Sequence, residues 1–222
     1  MSFIVAVDGP AGSGKGTITK RIKKEMGLIN IDTGAMYRCV ALETIRRGFS
    51  VEDEEKIINM LDDIKIDIEN EGDVDKFFLN GEDVSKIIRE NAVTNIVSKV
   101  SSIVKVREKM VIIQRNLAKG KNVIMEGRDI GTVVFPNANL KIYLDASEEV
   151  RAKRRFEENK EKNIDGTYEE IIEAIRKRDE MDKNKKVGAL KKADDAIVVD
   201  TSYLTIDEVV EKVKKLIEDK NK

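Results

Sequence analysis

The chain has 222 residues, a formal net charge of −1, 41% hydrophobic and 37% charged residues, and no histidine. That length suits one sizeable core or a core with an inserted lobe. The near-zero charge argues against general nucleic-acid binding, and the lack of histidine removes Ser-His and Cys-His catalysis and most zinc sites.

Residues 3–7, Phe3-Ile4-Val5-Ala6-Val7, read as a first buried strand. Met1-Ser2 leads straight into it, so no signal peptide is expected. No apolar run nears the roughly 18 residues of a membrane span. The single Cys39 cannot form an internal disulfide and reads as a buried thiol. A cytoplasmic protein without a membrane partner is expected. The strand runs into Gly9-Pro10-Ala11-Gly12-Ser13-Gly14-Lys15-Gly16-Thr17, and a helix is expected over 17–26. Strand, glycine turn and helix together aim backbone N–H groups and a helix dipole at an anion, and Lys15 adds a charge. The spacing fits the nucleotide-binding P-loop. Gly16 stands where that loop usually has Ser or Thr, and the hydroxyl that would help hold Mg²⁺ comes at Thr17.

A second strand is expected over 28–32 and a helix over 35–48, entered through Asp32-Thr33-Gly34-Ala35-Met36-Tyr37-Arg38. This puts Thr33, Tyr37 and Arg38 near the rim of the phosphate site. Ser50 is a candidate N-cap for a helix over 51–63. Ile64, Ile66 and Ile68 then alternate with polar residues, and Asn80-Gly81 signals a hairpin. Residues 64–90 therefore read as an inserted lobe with a small antiparallel sheet, with a turn at Glu71-Gly72-Asp73. Helical patterning returns over 85–119. Acidic residues dominate from Glu52 to Glu90, and basic ones from Arg151 to Lys192.

Buried strands are expected over 122–125, 140–144 and 196–199. The first ends in Glu126-Gly127-Arg128-Asp129, where Gly127 allows close approach and Arg128 can grip an anion bidentately. Ser147 caps a helix carrying Arg151, Arg154 and Arg155 on one face. A polar loop over 159–166 follows, and Thr167 caps a helix reaching about Lys185. Arg178, Asp182 and Lys185 share a face of that helix at i, i+4 and i+7. Residues 151–186 read as a helical lid. A last helix spans 205–219. Five apolar strands alternating with helices imply an α/β fold with a five-stranded parallel sheet covered on both faces. Ligands bind beyond the carboxyl ends of such strands.

These stretches, in order and over nearly the full length, resemble the bacterial cytidylate kinases, members of the nucleoside monophosphate kinases with a P-loop kinase fold. The most specific run is Gly127-Arg128-Asp129-Ile130-Gly131-Thr132-Val133-Val134-Phe135-Pro136. The resemblance implies a single kinase domain over 1–222, and a monomer is expected. It implies transfer of the γ-phosphoryl group of ATP to CMP or dCMP. Lys15 and the loop residues Gly9, Pro10, Ala11, Gly12, Ser13, Gly14, Gly16 and Thr17 would hold ATP, and Lys15, Arg128 and Arg154 would stabilise the transferring group. Mg²⁺ would arrive with ATP, with no protein-only metal site. Arg38 and Arg128 would hold the CMP phosphate, and Ser98, Arg107 and Asp129 would read the cytosine. Arg178 and Asp182 would meet the sugar. Thr33 stands where the family often has Ser, and Lys185 where an arginine is expected. The rival is a same-fold kinase acting on UMP or another small acceptor. A GTPase switch would need an Asn-Lys-x-Asp motif, which the chain lacks.

Overall fold

The computed structural model describes residues 2–71, 74–161 and 163–221. Met1, Gly72, Asp73, Lys162 and Lys222, and with them the centre of the expected 71–73 turn and one residue of the expected polar loop, lie outside the described residues. In chain order, β1 (Ile4–Asp8) runs into α1 (Lys15–Met26), and β2 (Ile29–Asp32) into α2 (Thr33–Arg46). After α3 (Glu54–Met60) come β3 (Ile66–Glu71), β4 (Val74–Leu79) and β5 (Glu82–Asp83). Next are α4 (Asn91–Val100), α5 (Val104–Ala118), β6 (Val123–Gly127) and β7 (Leu140–Asp145). The chain ends with α6 (Glu148–Glu161), α7 (Tyr168–Lys183), β8 (Ile197–Asp200) and α8 (Ile206–Lys220).

The main sheet has the order β2-β6-β1-β7-β8, and every neighbour is parallel. β1 is central, with Ile4 opposite Val123 on one side and Val5 opposite Leu140 on the other. A parallel strand buried on both faces must be apolar throughout, which is why these strands read as runs rather than alternations. Ala6, Ile31 and Met125 pack on one face against Met36, Val40 and Met110 of α2 and α5. Val5, Val7 and Ile142 pack on the other against Ile18 and Ile22 of α1 and Val209 and Val213 of α8. The strands end together at Asp8, Asp32, Gly127, Asp145 and Asp200, so the loops after them share one edge.

The small sheet is antiparallel, in the order β3-β4-β5. Asn80 and Gly81 both have positive φ, 53° and 85°, the two-residue turn whose twist suits a hairpin. Asp75 of β4 ties this sheet to the main one, accepting from Lys23 Nζ at 2.7 Å and Asn30 Nδ2 at 2.7 Å. No helix among the described residues is long and apolar enough to cross a membrane.

Several boundaries differ from expectation; the expected 17–26 and 35–48 helices, for example, each begin two residues early. The 51–63 helix starts only at Glu54, with Asp53 rather than Ser50 at its N-cap position. Ser50 Oγ is taken by Glu52, and Asp53 accepts the Ser50 N–H, so local side-chain bonds make a turn that competes with the helix. The 85–119 stretch splits into α4 and α5, because the Ser101 and Ser102 hydroxyls donate back to the Ser98 and Lys99 carbonyls and end α4. α6 runs through Glu161, into the expected loop. α7 stops at Lys183, before Lys185, after starting at Thr167 with a complete capping box to Glu170.

Candidate active site

The glycine loop leaves the centre of the sheet edge. At Gly9 a Cβ would lie 2.0 Å from the Leu144 carbonyl oxygen, so no side chain fits where the loop crosses β7. Gly14 caps α1 without a side chain, which leaves the first α1 amides open to an anion. Lys15 is buried, and its ammonium donates to the Gly9 carbonyl (2.9 Å), the Pro10 carbonyl (2.7 Å) and Ser13 Oγ (3.3 Å). Burial, and then the charge of Arg128, push Lys15 down to about 7.

Asp32 and Glu126 stand directly opposite each other at the ends of β2 and β6. Glu126 is buried against α1, where it accepts from Thr19 Oγ1 at 3.1 Å. Burial, and then Asp32, push its carboxyl up to about 7. A Cβ at Gly16 would stand 3.3 Å from Glu126 Oε1, so the departure from the usual P-loop has a spatial cause: the carboxylate takes the room of a larger side chain. Thr17 is exposed on the next position of α1. No cluster of three or more His, Cys, Asp or Glu among the described residues could cage a metal. The Asp32–Glu126 pair beside the loop is nevertheless the hard-oxygen donor set that suits Mg²⁺, an ion that keeps waters and takes its remaining ligands from phosphates.

A second cleft opens beside the loop. Its lining brings together Thr33, Arg38, Ser98, Arg107, Arg128, Asp129, Arg178, Asp182 and Lys185, residues spread over 150 positions of sequence and all singled out above. Thr33 Oγ1 donates to the Glu126 carbonyl at 2.7 Å, and Arg38 Nη1 to Thr94 Oγ1 at 2.7 Å and the Ile88 carbonyl at 3.0 Å. Arg128 Nε meets Asp182 Oδ2 at 3.0 Å; Lys185 Nζ reaches Asp182 Oδ1 at 2.8 Å and Ser101 Oγ at 3.1 Å. Lys185 thus stays on Asp182 although the helix has ended. Arg107 pairs with Asp129, donates to the Ser101 carbonyl at 3.2 Å, and lies 5.3 Å over the Tyr37 ring. Burial pushes Asp182 up, but Arg128, Lys185 and Arg178 outweigh it and hold the carboxyl at about 2. Burial, and then Arg128, bring Arg178 down to about 10. Five cationic side chains face two carboxylates in this lining, and the excess is a strong call for an anion.

The arginines of α6 divide. Arg154 faces the loop rather than the second cleft: it donates to the Thr201 carbonyl (2.7 Å) and Thr201 Oγ1 (3.1 Å), and lies beside Gly14. Arg155 is surface-exposed and pairs with Glu158. Arg151 is buried and structural, bound to the Ala11 carbonyl (3.1 Å), the Ala146 carbonyl (3.0 Å) and Asp179 (2.7 Å). The sequence reading assigned no role to Asp8, Glu126, Ser101 or Thr201. Asp8 accepts from the Ile130 (2.8 Å) and Gly131 (2.7 Å) amides and so shapes the turn after Arg128-Asp129. An acidic residue at the end of a strand was a usable signal for Asp8 and Glu126; Ser101 and Thr201 carried none.

The cytidylate kinase family model matches residues 5–219. A cytidylate kinase of Fusobacterium nucleatum subsp. nucleatum is 48% identical over 98% of both chains. One of Caldanaerobacter subterraneus is 49% identical over 96% of this chain and 93% of its own. One of Bacillus licheniformis is 45% identical over 97% and 96%. Among solved structures, a gluconokinase from Sinorhizobium meliloti matches with a TM-score of 0.52 at 10% identity, covering 98% of this chain and 92% of its own. That likeness shows a shared fold.

Proposed function

The chain belongs to the cytidylate kinase family, and we propose that it transfers the γ-phosphoryl group of ATP to CMP or dCMP, giving ADP and CDP or dCDP. The observation that carries this reading is the pairing of the glycine loop with an adjoining cation-rich cleft: one anion site for the donor and a second, beside it, for a phosphate monoester.

Phosphoryl transfer asks for alignment, exclusion of water and neutralised charge, with little covalent help. The loop amides and Lys15 bind the donor phosphates, and Lys15 exchanges the Gly9 and Pro10 carbonyls for phosphate oxygens. Mg²⁺ supplied with ATP would neutralise charge on the phosphates. Asp32 and Glu126, with the Thr17 hydroxyl, would hold it. Arg38 and Arg128 bind the acceptor phosphate, and Arg128 spans to the transferring group, which Arg154 flanks from the donor side. Asp129 and Arg107, with Ser98, read the cytosine amine and ring. Asp182 and Arg178 meet the sugar, and Lys185 holds Asp182 in place as a point charge. No general base beyond the acceptor phosphate is needed. Residues 151–186 act as the lid: α6 and α7 have a small core of their own, Ala152, Ile171 and Ile175, and carry Arg154, Arg178, Asp182 and Lys185. The 64–90 lobe closes on the acceptor side of the same 1–222 kinase domain. One chain supplies every residue named, which suits a monomer, and free nucleotides as substrates suit the cytoplasm.

ADP release from ATP, measured alone and with CMP, dCMP, UMP or AMP, tests the reading. Fast release with CMP or dCMP is expected; release indifferent to the acceptor, or fastest with AMP, overturns it. Arg128→Ala should lower kcat by at least about 10²-fold, the scale of one charge-stabilising donor. A kcat near wild type would remove Arg128 from the chemistry.

A further inference from the structure

Behind the Arg107–Asp129 pair lie two buried polar groups, Gln114 and the Tyr37 hydroxyl, that none of the roles above uses. Gln114 lies two turns after Arg107 on α5, and so on the same face. It is 1% exposed. Both its amide oxygen and its amide nitrogen are buried without a hydrogen-bond partner, and so are the Tyr37 hydroxyl and Arg107 Nε. Gln114 lies near enough to the Tyr37 hydroxyl to act on it weakly, the smallest of the influences on that hydroxyl, yet falls short of full hydrogen-bond geometry, while the Tyr37 ring lies under the Arg107 guanidinium at 5.3 Å. The remaining Arg107 nitrogens are engaged: Nη1 on the Ser101 carbonyl and Nη2 on Asp129.

If α5 needed only packing here, leucine or methionine would fill the site without burying two unpaired amide atoms beside the Tyr37 hydroxyl and Arg107 Nε. The groups are also complementary. A glutamine amide both accepts and donates; a tyrosine hydroxyl does both, and Arg107 Nε donates. Burial pushes the Tyr37 hydroxyl up to about 12, so it keeps its proton for donation. Bonds of this kind are often long in a free enzyme and tighten when substrate is bound.

We propose that Gln114 is a positioning residue for acceptor-base specificity: it closes on Tyr37 and Arg107 from behind when the acceptor binds, and so fixes the face that Arg107 and Asp129 present to the base. The inference rests on the reading above, in which that pair reads cytosine. Gln114 itself touches no substrate; it acts through Tyr37 and Arg107.

Gln114→Leu and Gln114→Met test it through KM for CMP, KM for ATP, the ratio of kcat/KM for CMP over UMP, and the melting temperature. KM for CMP should rise, and the CMP:UMP ratio fall, each about tenfold, the worth of one supporting hydrogen bond, with KM for ATP within about twofold of wild type. The melting temperature should hold or rise, because unpaired buried polar atoms are replaced by apolar ones. A purely structural Gln114 gives the opposite pattern, a lower melting temperature with KM for CMP and the ratio unchanged, and that result overturns the proposal. Should neither variant fold, Tyr37→Phe keeps the ring beneath Arg107 and removes the hydroxyl; an unchanged ratio there overturns the proposal as well. A wild-type enzyme that does not prefer CMP to UMP removes the base-reading role of Arg107 and Asp129, and this proposal with it. Wild-type preference retained in the Gln114 variants removes this proposal alone.

Discussion

Replacing Arg151 by methionine should separate architecture from chemistry in the cationic α6 segment. Arg151 and Asp179 are paired at 2.7 Å with side chains 4% and 6% exposed. The same guanidinium holds the Ala146 and Ala11 carbonyls, so α6, α7 and the glycine loop meet at one side chain. Arg151→Met leaves Asp179 buried and uncompensated, with its Oδ1 already lacking a partner. Breaking a buried pair from one side costs about 3–5 kcal/mol, far more than the pair is worth over an apolar replacement. For a chain of this size that is a fall in melting temperature of about 6–20 °C. Urea and thermal unfolding give the loss directly. The double variant Arg151→Met/Asp179→Leu should return to within about 1 kcal/mol of wild type, since no charge is then stranded. Below the melting transition, KM for ATP should rise more than KM for CMP, because the lost carbonyl contact is to the loop. A single variant losing less than about 1 kcal/mol, or a double variant no better than the single, refutes the reasoning.

Two further outcomes follow from the ionisation of the site. Asp182 is held at about 2 in the fold against an ordinary 3.8, so its pairing stabilises the protein above about pH 4 and is lost as pH falls through 2. The unfolding free-energy gap between wild type and Asp182→Asn should therefore shrink by about 2 kcal/mol between pH 5 and pH 2, and a constant gap would contradict the pairing. Lys15, pushed down to about 7, is largely neutral at pH 8 in the free enzyme, and bound phosphates restore its charge. ATP binding without Mg²⁺ should take up a proton at pH 8, read by calorimetry in buffers of different ionisation enthalpy; heats independent of buffer at pH 8 would count against it.

Much of the site is legible in sequence because its pieces are local junctions. The glycine loop, Asp32-Thr33 through Arg38, and Gly127-Arg128-Asp129 each sit where an apolar run gives way to a helix or turn, and parallel α/β topology collects such junctions at one edge. What stays hidden is long-range pairing. Nothing in the α6 pattern marks Arg151 as the residue that finds Asp179 and the Ala11 carbonyl while Arg154 turns to Thr201. Gly16 reads as an anomaly until Glu126 is seen against it from β6. Helix ends are hidden for a different reason: Ser50, Ser101 and Ser102 form local hydrogen bonds whose outcome, cap or break, depends on which backbone groups the neighbouring turn leaves free.

The central place of β1 has a consequence for how the chain comes into being. The Phe3 amide is held by Asn122 across 119 residues, and the Ile4 amide by Asn139 across 135. At about 5–20 residues per second on the ribosome, β1 emerges roughly 6–24 s before its first sheet neighbour β6 is made. Through that interval its apolar run has no native ladder to join, and the glycine loop has no β6 to carry Glu126 up beside Gly16. The phosphate site is thus a late product of synthesis. Nucleotide can steady the finished protein, but it cannot template the early chain, and the opening strand depends on being shielded until more than half the sequence exists.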